Sequence, residues 1–303
     1  MTEQHKQPDG ATGHQKGVQT TGHVWDDDIR ELDTPLPRWW LYTFYACIVW
    51  SVGCWILYPS WPTLQGYTTG VLGVSDRSAV AKKLVTAKQS QETFRKQLAS
   101  ASATDVRNNP ELLRFAMASG GASFQTNCAP CHGRGAQGFV GYPNLNDDDW
   151  LWGGTLEDIE TTLLYGIRSG HAEARVSQMP RYGVDGILSP AEIDAVTNYV
   201  RGLTKLPVDQ ALAQKGSTIF AEQCSSCHGE NGHGNAELGA PNLADAIWLY
   251  GSSPEAVTQT IVAGRNGVMP GWIDRLDRAT IKSLAVYVHS LGGGQLASNA
   301  TKQ

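Results

Sequence analysis

Cys128-Ala-Pro-Cys131-His132-Gly133 recurs 96 residues later as Cys224-Ser-Ser-Cys227-His228-Gly229. The recurrence is not confined to that hexapeptide. Gly120 and Phe124 return at the same offset as Gly216 and Phe220, Pro143-Asn144-Leu145 as Pro241-Asn242-Leu243, and Trp150 as Trp248. Met179-Pro180 matches Met269-Pro270 after a loop eight residues longer in the first copy. Each copy closes on an apolar stripe at helical spacing: Ile193, Val196, Tyr199, Val200, Leu203, then Ile281, Leu284, Tyr287, Val288, Leu291. Self-similarity at a fixed period means that one supersecondary unit is used twice. The last 190 or so residues are therefore expected to hold two helical domains of one kind, residues 116–204 and 208–296, separated around Leu206-Pro207.

C-x-x-C-H is the attachment motif for c-type haem. Thiols at i and i+3 lie on one helical turn, so both can add to the porphyrin vinyl groups, and the adjacent His binds iron. Zinc is the competing use of paired C-x-x-C. Zinc ribbons place their pairs 15–20 residues apart, whereas 92 residues separate these, and each pair carries an immediate His. A thioredoxin-like redox pair needs a βαβ setting that the pattern lacks. Two covalently bound haems c are expected, on Cys128, Cys131 and His132, and on Cys224, Cys227 and His228.

The sixth iron ligand belongs in the second half of each copy. Met1 aside, the chain has three methionines, and two of them are the matched Met179 and Met269. A thioether raises the reduction potential and suits an electron carrier. Met179 is thus expected on the first haem and Met269 on the second. The longer loop of the first copy also contains His171, which leaves bis-His ligation open there. Pro143 and Pro241 are expected to accept the second ring N–H of the two ligand histidines. Trp150, Trp248, Arg168 and Arg265 are candidate haem-propionate partners. Gly120 and Phe124 are expected to interlock with Tyr199, and Gly216 and Phe220 with Tyr287, each pair within its own copy.

The rest of the chain is of another character. Residues 1–24 are polar and aperiodic and are expected to be disordered; His5, His14 and His23 fall there without metal-ligand spacing. Residues 39–58, WWLYTFYACIVWSVGCWILY, carry no charge. Twenty residues of helix span about 30 Å, the thickness of a bilayer core. Trp39, Trp40, Tyr42 and Trp55, Tyr58, Trp61 flank the stretch as interfacial aromatics, and Pro59 and Pro62 end it. A cleaved signal peptide would end in small residues, so the stretch reads as an uncleaved single span. Cys47 and Cys54 within it read as small packing residues. Ser75 is expected to cap a helix reaching about Leu98, with its Lys and Arg on a solvated face, against a partner subunit, or against lipid headgroups. A net charge of −5 excludes a strongly basic nucleic-acid binder.

The segment before and through the span narrows the reading further. Trp25-Asp26, Ile29-Arg30-Glu31-Leu32, Pro35-Leu36-Pro37-Arg38-Trp39-Trp40, Tyr58-Pro59-Ser60-Trp61-Pro62 and Gly66-Tyr67-Thr68 precede the two C-x-x-C-H domains. Over residues 22–292 the chain resembles the membrane-anchored dihaem subunit (CcoP or FixP) of bacterial cbb3-type cytochrome c oxidases. The resemblance implies an all-α fold: a transmembrane helix at 39–58, a partly helical linker at 59–115 and two tandem class I cytochrome c domains. It also implies a cytoplasmic segment 1–38 and haem domains in the periplasm, in the bacterial inner membrane. Electrons would come from a soluble or anchored cytochrome c. They would pass to a monohaem subunit (CcoO) and the catalytic haem–copper subunit (CcoN), where dioxygen is reduced to water, a small accessory subunit completing the assembly. The chain would be an electron-transfer subunit and not the dioxygen-reducing catalyst. The rival reading is the exit carrier of another membrane dehydrogenase or quinol-oxidising complex, which a copper-containing partner would exclude.

Overall fold

The computed structural model describes residues 19–26 and 29–295 of the chain. It divides into two compact units, one running to Ala87 and one from Lys88 onward.

In the first unit, β1 (Thr20–Trp25) pairs antiparallel with β2 (Ile29–Leu32), Trp25 opposite Ile29. Residues 20–24 are therefore strand, where the polar composition suggested disorder; His23 packs its ring on Trp25, centroids 4.4 Å apart. His5 and His14 lie outside the described residues. The helix α1 spans Arg38–Leu57, and none of its 20 residues is buried. An apolar helix of this length with none of its residues buried is suited to lipid as its solvent. Tyr58 is extended, as the following Pro59 requires. A minimal hairpin, β3 (Pro62–Thr63) with β4 (Gly66–Tyr67), then turns the chain back. The N–H groups of Val71 and Leu72 donate to the carbonyls of Ile56 and Leu57, capping the end of α1. The two hairpins qualify the all-α expectation: the described residues are mostly helical, with four short strands among them. The helix α2 runs Asp76–Ser100, close to the expected range, and passes into the second unit at Lys88.

Among its described residues the second unit is built from helices joined by loops that carry isolated bridges. After α2 come α3 (Ala103–Asn108), α4 (Pro110–Asn127), the single turn α5 (Ala129–His132), α6 (Leu156–Tyr165) and α7 (Pro190–Leu203). The same order then repeats as α8 (Gln210–Gln223), α9 (Ser225–His228), α10 (Pro254–Ala263) and α11 (Arg278–His289). The ends are written locally. Asn109, Asp209 and Asp277 cap α4, α8 and α11, and Ser189 forms a capping box with Glu192 at the start of α7.

The packing does not follow the sequence repeat. α4 crosses α11, and α8 crosses α7. One core joins Phe124, Ile159 and Leu163 of the first copy to Ile281, Leu284 and Val288 of the second. Another joins Ile193, Val196 and Val200 of the first copy to Phe220, Val257 and Ile261 of the second. A third gathers Leu98, Val106 and Leu112 with Val286. Segments 116–204 and 208–296 are thus not two closed domains, because each core takes its last helix from the other copy. The aromatic pairs change partners accordingly. Phe124 meets Tyr287 at 5.5 Å, not Tyr199, and Phe220 meets Tyr199 at 5.1 Å, not Tyr287.

Loop length gives the reason. Only residues 204–209 join α7 to α8, and a short connection between two helices favours antiparallel packing of the pair. With α7 committed to α8, α4 is left for α11. Both crossings use the same device: a Cβ on Gly120 would collide with the Ser283 carbonyl, and one on Gly216 with the Ala195 carbonyl.

Candidate functional site

Each C-x-x-C-H segment begins where a long helix stops. Cys128 caps α4, the turn Ala129–His132 follows, and Gly133 ends it at φ +82°, a left-handed conformation that favours glycine. Cys224, Ser225–His228 and Gly229 at φ +77° repeat the arrangement. In both copies the loop folds back under the histidine. His132 Nδ1 lies 2.9 Å from the Pro143 carbonyl oxygen, and His228 Nδ1 lies 3.1 Å from that of Pro241, as expected. The Nδ1–H donates and the carbonyl accepts, which fixes the ring and leaves Nε2 free for a metal. Burial holds both imidazoles below the ordinary histidine pKa, so they are neutral at pH 7 and able to ligate. Burial, with a smaller push from the neighbouring thiol, raises Cys128 and Cys224 to about 11.

Two cavities open on these histidines. The first is narrow, about 100 Å³, and includes Cys128, His132, Phe124, Trp150, Ile159, Leu163 and Met269 in its lining. The second, about 630 Å³, includes Cys224, Cys227, His228, Phe220, Trp248, Val257 and Met179. The methionines are therefore exchanged relative to the sequence expectation: Met269 faces the site of His132, and Met179 that of His228. The backbone shows how. Ile167 and Met269 exchange both of their N–H···O bonds, at 2.9 and 3.0 Å. Gly183 and Val184 donate to the Val262 carbonyl in the other direction. Each copy thus lends its methionine loop, as well as its last helix, to the other.

His171 lines neither cavity. Its ring packs on Tyr165, centroids 4.9 Å apart, and its Nδ1 accepts the Glu173 N–H at 3.0 Å. The extra length of the first loop is absorbed in that turn. Trp150 spends its ring N–H on the Gly293 carbonyl at 2.6 Å. Trp248 lines the second cavity, as do Arg168 and Arg265. Cys47 and Cys54 lie on α1, and neither is among the residues that line the two cavities.

One residue, Arg175, escaped the sequence reading. Arg265 donates Nε–H to Thr260 Oγ1 at 3.0 Å and stacks over Tyr250 at 4.0 Å. Its structural counterpart is Arg175, which donates to Thr162 Oγ1 at 3.0 Å and lies over Trp152 at 5.5 Å. The pair is offset by 90, as the methionines are, and that offset was the available signal. The two aromatics in turn cover glycines of the opposite copy, Trp152 on Gly239 and Tyr250 on Gly141. Reciprocal contacts of this kind are what a local two-fold relation produces.

Pro143, Asn144, Asp149 and Leu151 line both cavities, so one thin wall of the first copy divides them. Asp149 is pushed up to about 6 by burial and by the nearby Asp245, Asp147 and Asp148. The donor set suits haem c: two thiols three apart, a fixed neutral imidazole and an apolar cavity with a thioether, all present twice. Zinc fits poorly, because among the described residues no three His, Cys, Asp or Glu side chains gather as a metal site.

Family models match three stretches of the chain. Residues 17–65 match the N-terminal domain of cytochrome oxidase-cbb3, FixP; residues 117–204 match cytochrome c; residues 211–288 match cytochrome c oxidase, cbb3-type, subunit III. The cbb3-type cytochrome c oxidase subunit FixP of Bradyrhizobium sp. (strain ORS 278) is 55% identical over 280 residues, 92% of this chain and 96% of that protein. The corresponding FixP of Azorhizobium caulinodans is 52% identical over 294 residues, 97% of this chain and 98% of that one. Subunit CcoP of Cereibacter sphaeroides is 51% identical over 277 residues, 91% and 95% of the two chains. With cytochrome c units behind an apolar helix and relatives matched along nearly their whole length, the chain belongs to the FixP/CcoP family of cbb3-type cytochrome c oxidase subunits.

Proposed function

We propose that this electron-transfer subunit would hold two haems c, each with a histidine of one copy and the methionine of the other. Cys128 and Cys131 form the thioethers of the first, with His132 and Met269 on iron. Cys224 and Cys227 form those of the second, with His228 and Met179 on iron. The observation that carries this reading is the sharing of each cavity by a histidine of one copy and the methionine of the other. Haem c, when bound, supplies a reversible one-electron iron couple. The chain's own residues do the rest. Pro143 and Pro241 hold the imidazoles in one tautomer, the methionine loops wall the cavities, and the apolar lining would keep water off the group. The shared wall at Asp149 and Leu151 keeps the two sites close enough for direct exchange of an electron.

In this reading α1 is the membrane anchor, residues 1–38 are cytoplasmic and the helical unit faces the periplasm. There it takes electrons from a cytochrome c and delivers them to a monohaem subunit and the haem–copper subunit. Purification from membranes in mild detergent tests the proposal. Two haems c per chain, a copper-containing partner and rapid reduction by a cytochrome c are expected. One haem per chain, or recovery with a copper-free dehydrogenase instead, would overturn it.

A further inference from the structure

Arg168 occupies a place that its own copy does not explain. It lies two residues after Gly166, the glycine that ends α6, and sits at φ +49°, a left-handed conformation that costs a side-chain-bearing residue on the order of 1 kcal/mol. Its N–H donates to the Arg175 carbonyl at 2.9 Å. The guanidinium then reaches two further carbonyls. Nε–H donates to Gly267 at 2.7 Å, and Nη1–H donates to Ser177 at 2.6 Å. Ser177 is two residues before Met179, and Gly267 is two residues before Met269. One side chain therefore bonds the equivalent carbonyl of both methionine loops. The second copy offers no duplicate: counted from Gly166 and Gly264, the counterpart of Arg168 is Asn266.

We infer that Arg168 is a positioning residue for both sixth ligands at once, a single clip on which the two methionine loops close. The inference rests on the methionine ligation proposed above. Its physical content is the fork of the guanidinium, which offers N–H groups in fixed, diverging directions, whereas an ammonium offers one point charge on a flexible stem. Short bonds from a charged donor are also the stronger kind. Opening either loop leaves the guanidinium half satisfied, so the two iron–sulfur bonds are mechanically linked.

The test uses the full chain in detergent with both haems attached. The ferric wild-type protein must first show two sulfur-to-iron charge-transfer bands; their absence removes the ligation reading and this inference with it. Cyanide is the probe for loop opening, because it binds ferric iron only after the methionine sulfur has left. Asn tolerates the left-handed backbone, so Arg168→Asn removes the guanidinium with little added strain. Both kinetic phases of cyanide binding should quicken by about tenfold or more, the size of one hydrogen bond to a charged group. Leu98→Ala lowers the thermal midpoint through the core and should leave both phases within about twofold, which separates positioning from general loss of stability. Acceleration at one haem only, or at neither, overturns the inference. If Arg168→Asn fails to take up haem, Arg168→Lys is read in the same way, and wild-type rates at either haem overturn the clip.

Discussion

The N–H of Ile167 donates to the carbonyl of Met269 at 2.9 Å, and the N–H of Met269 donates back to Ile167 at 3.0 Å. This two-bond bridge joins the end of the first copy's α6 to the methionine of the second copy. It gives crossed ligation its first test. In a chain that keeps only the second haem (Cys128→Ala with Cys131→Ala), one sulfur-to-iron band should remain. That band should survive Met269→Ala and vanish on Met179→Ala. The opposite pattern restores ligation within each copy. His171→Ala should leave the band and its potential nearly unchanged, since His171 faces Tyr165.

The glycines at the two helix crossings should be intolerant of a single methyl. Gly120→Ala sets a Cβ against the Ser283 carbonyl and the Tyr287 side chain, and Gly216→Ala sets one against the Ala195 carbonyl and Tyr199. Overpacking of this kind costs roughly 1–3 kcal/mol. Thermal unfolding should fall by several degrees for each. Gly53→Ala, with open space around it on α1, serves as the neutral comparison.

Cutting the chain by its sequence repeat should fail. A fragment ending at residue 204 lacks α11, which supplies Ile281, Leu284 and Val288 to the core around Phe124. Expressed with haem-maturation machinery, it should lack methionine ligation at the first haem. A fragment of residues 88–295 should be soluble and hold both. Its start matters, because Phe94 and Leu98 belong to the core and Arg95 pairs with Asp277 at 2.5 Å. A fragment beginning at 116 should be less stable by at least about 2 kcal/mol, the lower end for losing one large buried apolar side chain. A well-folded, methionine-ligated fragment of residues 88–204 would refute the exchange.

Asp149 gives a pH prediction with a definite sign. Its carboxyl is pushed up to about 6 from an ordinary 3.8 by burial and neighbouring carboxylates. The folded state therefore binds the proton more tightly than the unfolded chain. Stability from this group rises as pH falls through about 6 and levels off below about 4. Asp149→Asn should accordingly stabilise the protein at pH 7, by about 1 kcal/mol after allowing for solvent screening of a partly exposed group. It should make little difference at pH 4. Denaturant midpoints of both proteins at the two pH values decide it.

Electron delivery by a basic cytochrome c should slow as salt rises. Residues 119–203 carry five Lys and Arg against ten Asp and Glu, so this segment attracts a cationic donor. Such steering is screened beyond about 10 Å at 0.1 M salt. Second-order rate constants measured across an ionic-strength series should fall steeply, and a flat series would mean apolar docking.

The chemistry of the site was legible in the residues themselves. The C-x-x-C-H turns, the proline carbonyls under His132 and His228 and the apolar span at α1 are all local, set by neighbours a few positions apart. Partnership was not legible. Because the copies share one pattern, Phe124 fits Tyr199 or Tyr287 equally well by type, and Met179 and Met269 carry the same thioether. Arg175 hid behind the longer loop, and Arg168 gave no sign that it bonds Ser177 and Gly267 together. The sequence by itself determined what each half-site is made of. The tertiary structure decided which halves meet, because a connection of six residues holds α7 against α8 and so sends α11, with Met269, to the cavity of His132.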